Sequence, residues 1–302
     1  MYNLFSLFLS QAYKDCWDDY QRAKKNNNFP KWDYVILTAS NEQQAEGFNK
    51  QMMARKDYLP SSTKFVAIPD RGGKRVGSGG ATLEVVKYLK EQEGSFEGLR
   101  VLVIHSGGDS KRVPQYSALG KLFSPVPHEL PDGRSSTLFD EFMIREGMVL
   151  LSGDVLLLFN PLQIDYNNTG AAAISFKEHV NTGKNHGVYL NGENGEVKCC
   201  LQKKSVETLR EVGAVNEQDC VDIDTGAIIF STEMLNALYS LIDTDELYDA
   251  HVNERTRLSL YADFLYPLAT DSTLEQFYLE KPEGSFCPEL TAAREKVWNA
   301  LR

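Results

Sequence analysis

The sequence predicts an α/β protein with a mixed sheet flanked by helices. Two observations carry this expectation. Short apolar runs rich in β-branched residues, at residues 34–38, 65–68 and 101–104, alternate with longer segments of helical period. Strand, helix and strand joined by a crossover of that length form the βαβ unit of a parallel sheet. Beyond residue 170 the pattern changes to paired strands at 171–176, 186–190, 196–204 and 222–230, with a hairpin turn at Asn191-Gly192.

The helices follow from local signals. Residues 4–24 form the first, ending in the polar stretch 24–28. Residues 41–57 form the next, capped by Asn41 or Ser40, with Glu42 in the first turn and Ala45, Phe48, Met52 and Met53 on one face. Residues 83–92 follow a glycine-rich stretch, and residues 137–148, led by Ser135 or Ser136, run into an apolar strand from Met148. Helices at 232–241 and 258–268 come next, the second holding Asp263 between aromatic neighbours. The last, 290–301, is expected to turn Ala292, Val297, Trp298 and Leu301 inward.

At 302 residues the chain is long enough for one large α/β domain. Its net charge of −10 argues against general nucleic-acid binding, which needs a basic face. That balance makes the basic clusters informative: Arg71, Lys74 and Arg75; Lys111, Arg112 and Lys121; Lys203 and Lys204. Each sits beside a glycine turn or a strand end; the plain alternative is a solvated surface. Five cysteines (Cys16, Cys199, Cys200, Cys220, Cys287) show no metal-ligand spacing and suit reduced thiols in a cytoplasmic protein. The first residues lack a basic segment and read as an amphipathic helix, not a signal peptide. No run is long enough to span a bilayer.

Three stretches carry chemistry. After the apolar run 101–104 come His105, Ser106, Gly107 and Gly108, then Lys111 and Arg112, then Gly120 and Lys121. Glycines bring backbone N–H groups close to an anion, and the cations offset its charge, as a triphosphate requires. A second glycine stretch, from Gly72 to Gly80, enters a helix and offers an anion site there. It is neither a Walker A loop, since Gly77-Ser78 lacks the lysine, nor the dinucleotide fingerprint, since Thr82 replaces the third glycine. Ligand contact is favoured over a flexible turn because three basic residues lie within it. Third, Ser152-Gly153-Asp154 ends a buried strand, where open parallel sheets bind ligands. Asp154 is a metal ligand or a helix cap; the apolar residues after it favour the ligand, and an oxygen-ligand cation such as Mg²⁺ is the expected ion.

The set as a whole resembles a family. His-Ser-Gly-Gly-Asp-Ser-Lys-Arg-Val-Pro (105–114) followed by Gly120-Lys121 is similar to the signature of sugar-nucleotide pyrophosphorylases. With Val-Gly-Ser-Gly-Gly-Ala-Thr (76–82), Ser-Gly-Asp (152–154), Asn-His-Gly-Val-Tyr (185–189), Leu-Gln-Lys-Lys-Ser (201–205) and Asp-Thr-Gly (224–226), it resembles the bifunctional fucokinase/fucose-1-phosphate guanylyltransferase family.

The resemblance implies a Rossmann-like nucleotidyltransferase fold across residues 1–302, with a helical extension at 1–30 and a sugar-binding lobe at 171–230. It implies GTP and β-L-fucose 1-phosphate as substrates, GDP-fucose and pyrophosphate as products, and Mg²⁺ as cofactor. Arg112, Lys121 and Asp154 would be catalytic. Gly107, Gly108, Ser110 and Lys111 would hold the nucleotide phosphates, and Gly77, Ser78, Gly79 and Gly80 its base or ribose. His186, Gly187, Lys203, Asp224, Thr225 and Gly226 would meet the sugar phosphate. Asp154 would carry the metal, with Asp263 as second ligand or, equally, as a buried helix residue with a partner. Long family members add a sugar kinase that nothing in these residues resembles, so a fused or associated fucokinase is the expected partner. More chain is expected near Ile144 and Arg145, where helix runs almost directly into strand. Two other readings remain: a nucleotide-sensing domain without chemistry, and a pyrophosphorylase for another sugar 1-phosphate.

Overall fold

The computed structural model describes residues 31–57, 59–106, 121–123, 125–129, 135–137, 147–153 and 169–302, with helical positions 7, 10, 11, 14, 15, 18 and 22 before them. Among these residues one eight-stranded sheet organises the chain. Its strands are β1 (Tyr34–Ala39), β2 (Lys64–Pro69), β3 (Arg100–His105), β6 (Gly147–Ser152), β7 (Ala171–His179), β8 (Gly187–Asn191), β9 (Val197–Gln202) and β10 (Cys220–Phe230). The order is β2-β1-β3-β6-β10-β8-β9, with β7 also pairing β10. β2, β1, β3 and β6 are mutually parallel, and the rest join antiparallel. The mixed sheet is thus as expected, and segment 171–230 extends the same sheet. Two short strands, β4 (Pro125–Glu129) and β5 (Ser135–Thr137), pair separately.

The central parallel strands β1, β3 and β6 are apolar in their middles because both their faces are covered. Tyr34, Ile36, Val101, Val103, Met148 and Leu150 point to one core, against helices α2 (Gly77–Glu93), α5 (Thr232–Tyr239) and α8 (Pro288–Leu301). Val35, Leu37, Leu102, Ile104 and Leu151 point to the other, against α1 (Glu42–Ala54). A third cluster, Val180, Val188, Leu209, Val221 and Ile223, packs α3 (Val180–Gly183) and α4 (Val206–Glu211) on β8 and β10. Asn41 caps α1 as expected, its side chain accepting the Gln44 N–H. Met53, expected on the buried face, is 69% exposed, one position off the stripe set by Ala45, Phe48 and Met52.

Three helix expectations change. α2 begins at Gly77, inside the glycine stretch, because those glycines pack against another segment rather than forming a loop. Residues 135–137 and 147–148 are strand, so both ends of the expected 137–148 helix pair in sheets; its interior, with Ile144 and Arg145, lies outside the described residues, as does Cys16. Residues 258–268 form a π-helical turn (Leu260–Leu265) followed by a 3₁₀ turn (Tyr266–Leu268), not one regular helix. Cys199, Cys200, Cys220 and Cys287 are free thiols. Among the described residues no helix is long and apolar enough to cross a membrane.

In α8 it is Leu290, Ala293, Arg294 and Val297 that face inward, while Ala292 is exposed. Arg294 replaces an expected apolar contact because it has a partner. Its Nε donates to Asp263 Oδ1 at 2.8 Å, and both side chains are buried, at 1% and 0% exposure. Asp263 Oδ2 accepts the Ser259 N–H at 2.6 Å. Arg294 Nη1 donates to the carbonyls of Phe277, Tyr278 and Glu280, at the end of α7 (Leu274–Leu279). The carboxylate expected as a second metal ligand is therefore the buried helix residue with a partner. Asp263→Ala should destabilise the fold by about 3–5 kcal/mol, since it strands a buried guanidinium. Urea denaturation measures this, and a loss below about 1 kcal/mol would contradict the assignment.

Candidate nucleotide and sugar-phosphate site

Because β2, β1, β3 and β6 are parallel, Pro69, Ala39, His105 and Ser152 end on one edge of the sheet. His105 and Ser152 are register partners. Just beyond them, Gly153 N–H donates to the His105 carbonyl at 3.0 Å. A methyl on Gly153 would lie 3.3 Å from Ser106 Cβ. Ser106, directly before Gly107, thus touches Gly153, directly before Asp154. The expected nucleotide and metal residues Gly107, Gly108, Ser110, Lys111, Arg112 and Asp154 lie outside the described residues. The chain is described again at Lys121, in a 3₁₀ turn (Lys121–Phe123) whose Leu122 and Phe123 enter the α1-side core.

His105 is held from both sides at this edge. Thr38 Oγ1 lies 3.2 Å from Nδ1 and Thr82 Oγ1 lies 3.1 Å from Nε2. The Thr82 hydroxyl donates its one proton to the Ser78 carbonyl at 2.9 Å. It must therefore accept from His105, which places the ring proton on Nε2 and leaves Nδ1 to accept from Thr38. Burial lowers the imidazole pKa to about 4, so the ring is neutral at pH 7.

The glycine stretch 77–80 is built differently from the anion loop expected of it. Gly77 has φ +84°, and a methyl there would overlap the Leu258 carbonyl. Gly79 N–H donates to that same carbonyl at 2.7 Å. Ser78 N–H and hydroxyl both donate to Glu283 Oε2, at 3.0 and 3.1 Å, and Ser78 Oγ accepts the Leu260 N–H. An N-terminus of a long helix attracts negative charge; here the chain supplies its own. These contacts join the stretch to segment 258–283 and occupy the amides of Ser78 and Gly79.

The expected sugar-phosphate residues do meet. Gly226 lies beside Ser152, with 3.5 Å between its would-be Cβ and Ser152 Cβ, so the edge of β10 continues that of β6. A methyl on Gly187 would sit 2.8 Å from Gln202 Nε2 and 3.3 Å from Asp224 Cβ. Lys203 N–H donates to the His186 carbonyl at 3.0 Å while its backbone holds φ 48°, a conformation uncommon outside glycine. Asp224 Oδ1 accepts the Gly226 N–H at 2.8 Å. Burial raises the Asp224 carboxyl pKa, against the lowering effect of that N–H and of the Tyr189 hydroxyl beside it. Thr225 has another role: its hydroxyl donates to the Ile174 carbonyl at 2.6 Å and accepts the Ala227 N–H, fixing the bulge in β10.

Tyr189 and Gln202 join this group without having been singled out, although both lie within recognised stretches. Tyr261 also reaches in, its hydroxyl 3.4 Å from the Gly226 carbonyl, and no local signal marks it. Among the described residues no three His, Cys, Asp or Glu side chains gather as a metal site.

A parallel core whose β3 and β6 end side by side at one carboxyl edge, extended by an antiparallel lobe, is consistent with a nucleotidyltransferase-like pyrophosphorylase fold. Residues 94–302 match the fucose pyrophosphorylase domain, and the chain belongs to that family. It is 29% identical to a bifunctional fucokinase/GDP-fucose pyrophosphorylase of Arabidopsis thaliana, over 78% of this chain and 27% of that protein. It is 26% identical to the fucose-1-phosphate guanylyltransferase of Mus musculus, over 90% of this chain and 52% of that one. The human fucose-1-phosphate guanylyltransferase is 25% identical, over 90% and 50%. The chain thus spans about half or less of the length of these relatives.

The state of His105 has a pH signature. A histidine of pKa 6.5 when unfolded and about 4 when folded contributes stability that is fully present above pH 6.5. That contribution is lost as pH falls toward 4, because the unfolded chain binds the proton first. The loss should amount to at most about 3 kcal/mol. Histidine NMR should show His105 neutral down to about pH 4; a pKa near 6.5 would refute the enclosed, neutral ring.

Proposed function

We propose that this chain transfers guanylate from GTP to fucose 1-phosphate, giving GDP-fucose and pyrophosphate. The Ser106–Gly153 contact carries this reading. It brings the last described residues before Gly107 and before Asp154 to adjacent points of one sheet edge, and Gly226, which binds Asp224, lies beside Ser152 there. The names of the mouse and human relatives support the substrates.

In this reading a phosphate oxygen of the sugar substrate attacks the α-phosphorus of GTP in line. The bond from that phosphorus to the bridging oxygen breaks, and pyrophosphate leaves with the electron pair. No covalent intermediate on the protein is needed, so the residues align reactants and offset charge. Gly107, Gly108, Ser110 and Lys111 approach the triphosphate, while Arg112 and Lys121 stabilise the departing pyrophosphate. Lys203 meets the sugar's phosphate, and Asp224 accepts from its hydroxyls through Oδ2, which faces the notch left by Gly187. Mg²⁺ suits Asp154 as an oxygen ligand and, when bound, would offset charge on the phosphates. An accompanying fucokinase unit fits the double name of the Arabidopsis relative. The free thiols fit a cytoplasmic location.

The test is pyrophosphate release from GTP with a panel of sugar 1-phosphates. Mg²⁺-dependent turnover with fucose 1-phosphate is expected; none with any sugar would leave a nucleotide-sensing domain. Arg112→Ala should lower kcat by about a hundred- to a thousandfold; unchanged turnover at normal GTP saturation would remove it from the site. Asp154→Asn should abolish Mg²⁺-dependent activity. Gly187→Ala should raise KM for the sugar phosphate by about tenfold, equivalent to about 1.4 kcal/mol, while KM for GTP stays unchanged.

A further inference from the structure

The π-helical turn Leu260–Leu265 lies between α6 (Asp245–His251) and α7. Such turns are uncommon and frequently mark functional sites. This one is fixed from several directions. Ser259 Oγ accepts the Ala262 N–H at 3.3 Å, and the Ser259 N–H donates to Asp263 Oδ2. The Leu260 N–H donates to Ser78 Oγ at 2.9 Å, which ties the turn to the start of α2. Asp263 is paired with the buried Arg294. Leu260, Asp263, Phe264 and Leu265 are all buried. Tyr261 is only half-buried, with its ring against the α2-α5-α8 core.

The Tyr261 hydroxyl ends among the sugar-phosphate residues. It lies 3.4 Å from the Gly226 carbonyl. A methyl on Gly226 would come 3.1 Å from Tyr261 Oη and 3.5 Å from Ser152 Cβ. Gly226, at φ +76°, therefore leaves an opening bordered by the phenol and by Ser152, two residues before Asp154. A second opening, at Gly187, is bordered by Gln202 and Asp224. Asp224 joins the two. Its Oδ1 accepts the Gly226 N–H, and its Oδ2 lies 3.4 Å from where a Gly187 Cβ would be.

Strand register orders these openings. Gly187 pairs with Gln202, and β8 runs antiparallel to both β9 and β10. His186, Lys203 and Gly226 therefore lie to the same side of the Gly187–Gln202–Asp224 row, the side on which Ser152 stands. A sugar lying over Asp224 and the Gly187 opening carries its phosphate toward Gly226, where the Asp154 segment begins. Tyr261 stands over that end. A phenol hydroxyl donates well to an anionic oxygen, and hydrogen bonds to charged groups are the stronger ones.

We propose that Tyr261 is a further substrate-binding residue of this site, its hydroxyl donating to a phosphate oxygen of the sugar 1-phosphate over Gly226. This role rests on the guanylyltransferase reading and deepens it. The test uses the full chain labelled with fluorotyrosine at its 14 tyrosines. Tyr261→Phe assigns the fluorine resonance. Fucose 1-phosphate, fucose and GTP are titrated separately, and pyrophosphate release is measured on the same protein.

Fucose 1-phosphate should shift the Tyr261 signal saturably, and neither fucose nor GTP should match that shift. In Tyr261→Phe the KM for fucose 1-phosphate should rise about tenfold, while the KM for GTP stays unchanged. Phenylalanine keeps the ring on the core, so the variant is expected to fold, and its far-UV spectrum checks this. An unmoved Tyr261 signal in a protein that turns over fucose 1-phosphate would overturn this role alone. So would an equal shift with fucose or GTP, or an unchanged KM for fucose 1-phosphate in the folded variant. No shift together with no turnover would overturn the guanylyltransferase reading and this role with it.

Discussion

The pairing of β3 with β6 is the constraint on which the rest depends. Parallel register sets His105 opposite Ser152, and the two chains leave the sheet at neighbouring points. A slip of one residue would turn Val101 and Val103 into the α1-side core and Leu102 and Ile104 out of it. The apolar composition of both faces does not forbid that slip by itself, since every residue concerned is apolar. What pins the register is polar: Gly153 donates to the His105 carbonyl, and the ring of His105 is fixed between Thr38 and Thr82. A strand of ordinary core residues is thus indexed by one neutral imidazole at its end.

That indexing extends across the sheet. Thr38 belongs to β1 and Thr82 to α2, so His105 ties together three elements that arrive separately in sequence. On the other side, β10 runs antiparallel to β6 and brings its bulge level with Ser152. The parallel half supplies chain ends, and the antiparallel half supplies side chains on a hairpin. Gly187 keeps the space between Gln202 and Asp224 open, and Lys203 takes a backbone conformation that the Asp224–Gly187–His186 arrangement supports.

Much of this was legible in the sequence. The strand runs and the Asn41 cap are local signals and appear where expected, and the hairpin forms too, though Asn191 still belongs to β8 and the turn spans residues 192–196. The grouping of Gly187, Lys203 and Asp224 was also readable, though through whole motifs rather than single residues. The roles of Gly77–Gly80 and Asp263 were not, because each is decided by a distant partner. Leu258 and Glu283 occupy the start of α2, and Arg294 neutralises Asp263; nothing within a helical turn of either position reveals them. Arg294 itself was hidden because a helical stripe is read by its apolar members. Thr225 shows the same limit: its hydroxyl serves the Ile174 carbonyl, a contact made only once β7 is beside β10.

The closing of the α2 start by Glu283 and Leu258 has a consequence for how the protein comes into being. Its second βαβ crossover, β2-α2-β3, rests on contacts made by residues some 180 to 205 positions downstream. During synthesis the early strands and helix emerge with the glycine-rich helix start unsupported, and they must wait for segment 258–283 before that helix start is secured. Contacts of such long sequence separation slow folding and prolong the exposure of unfinished sheet edges. The amino-terminal half is therefore the part of the nascent chain most in need of chaperone protection.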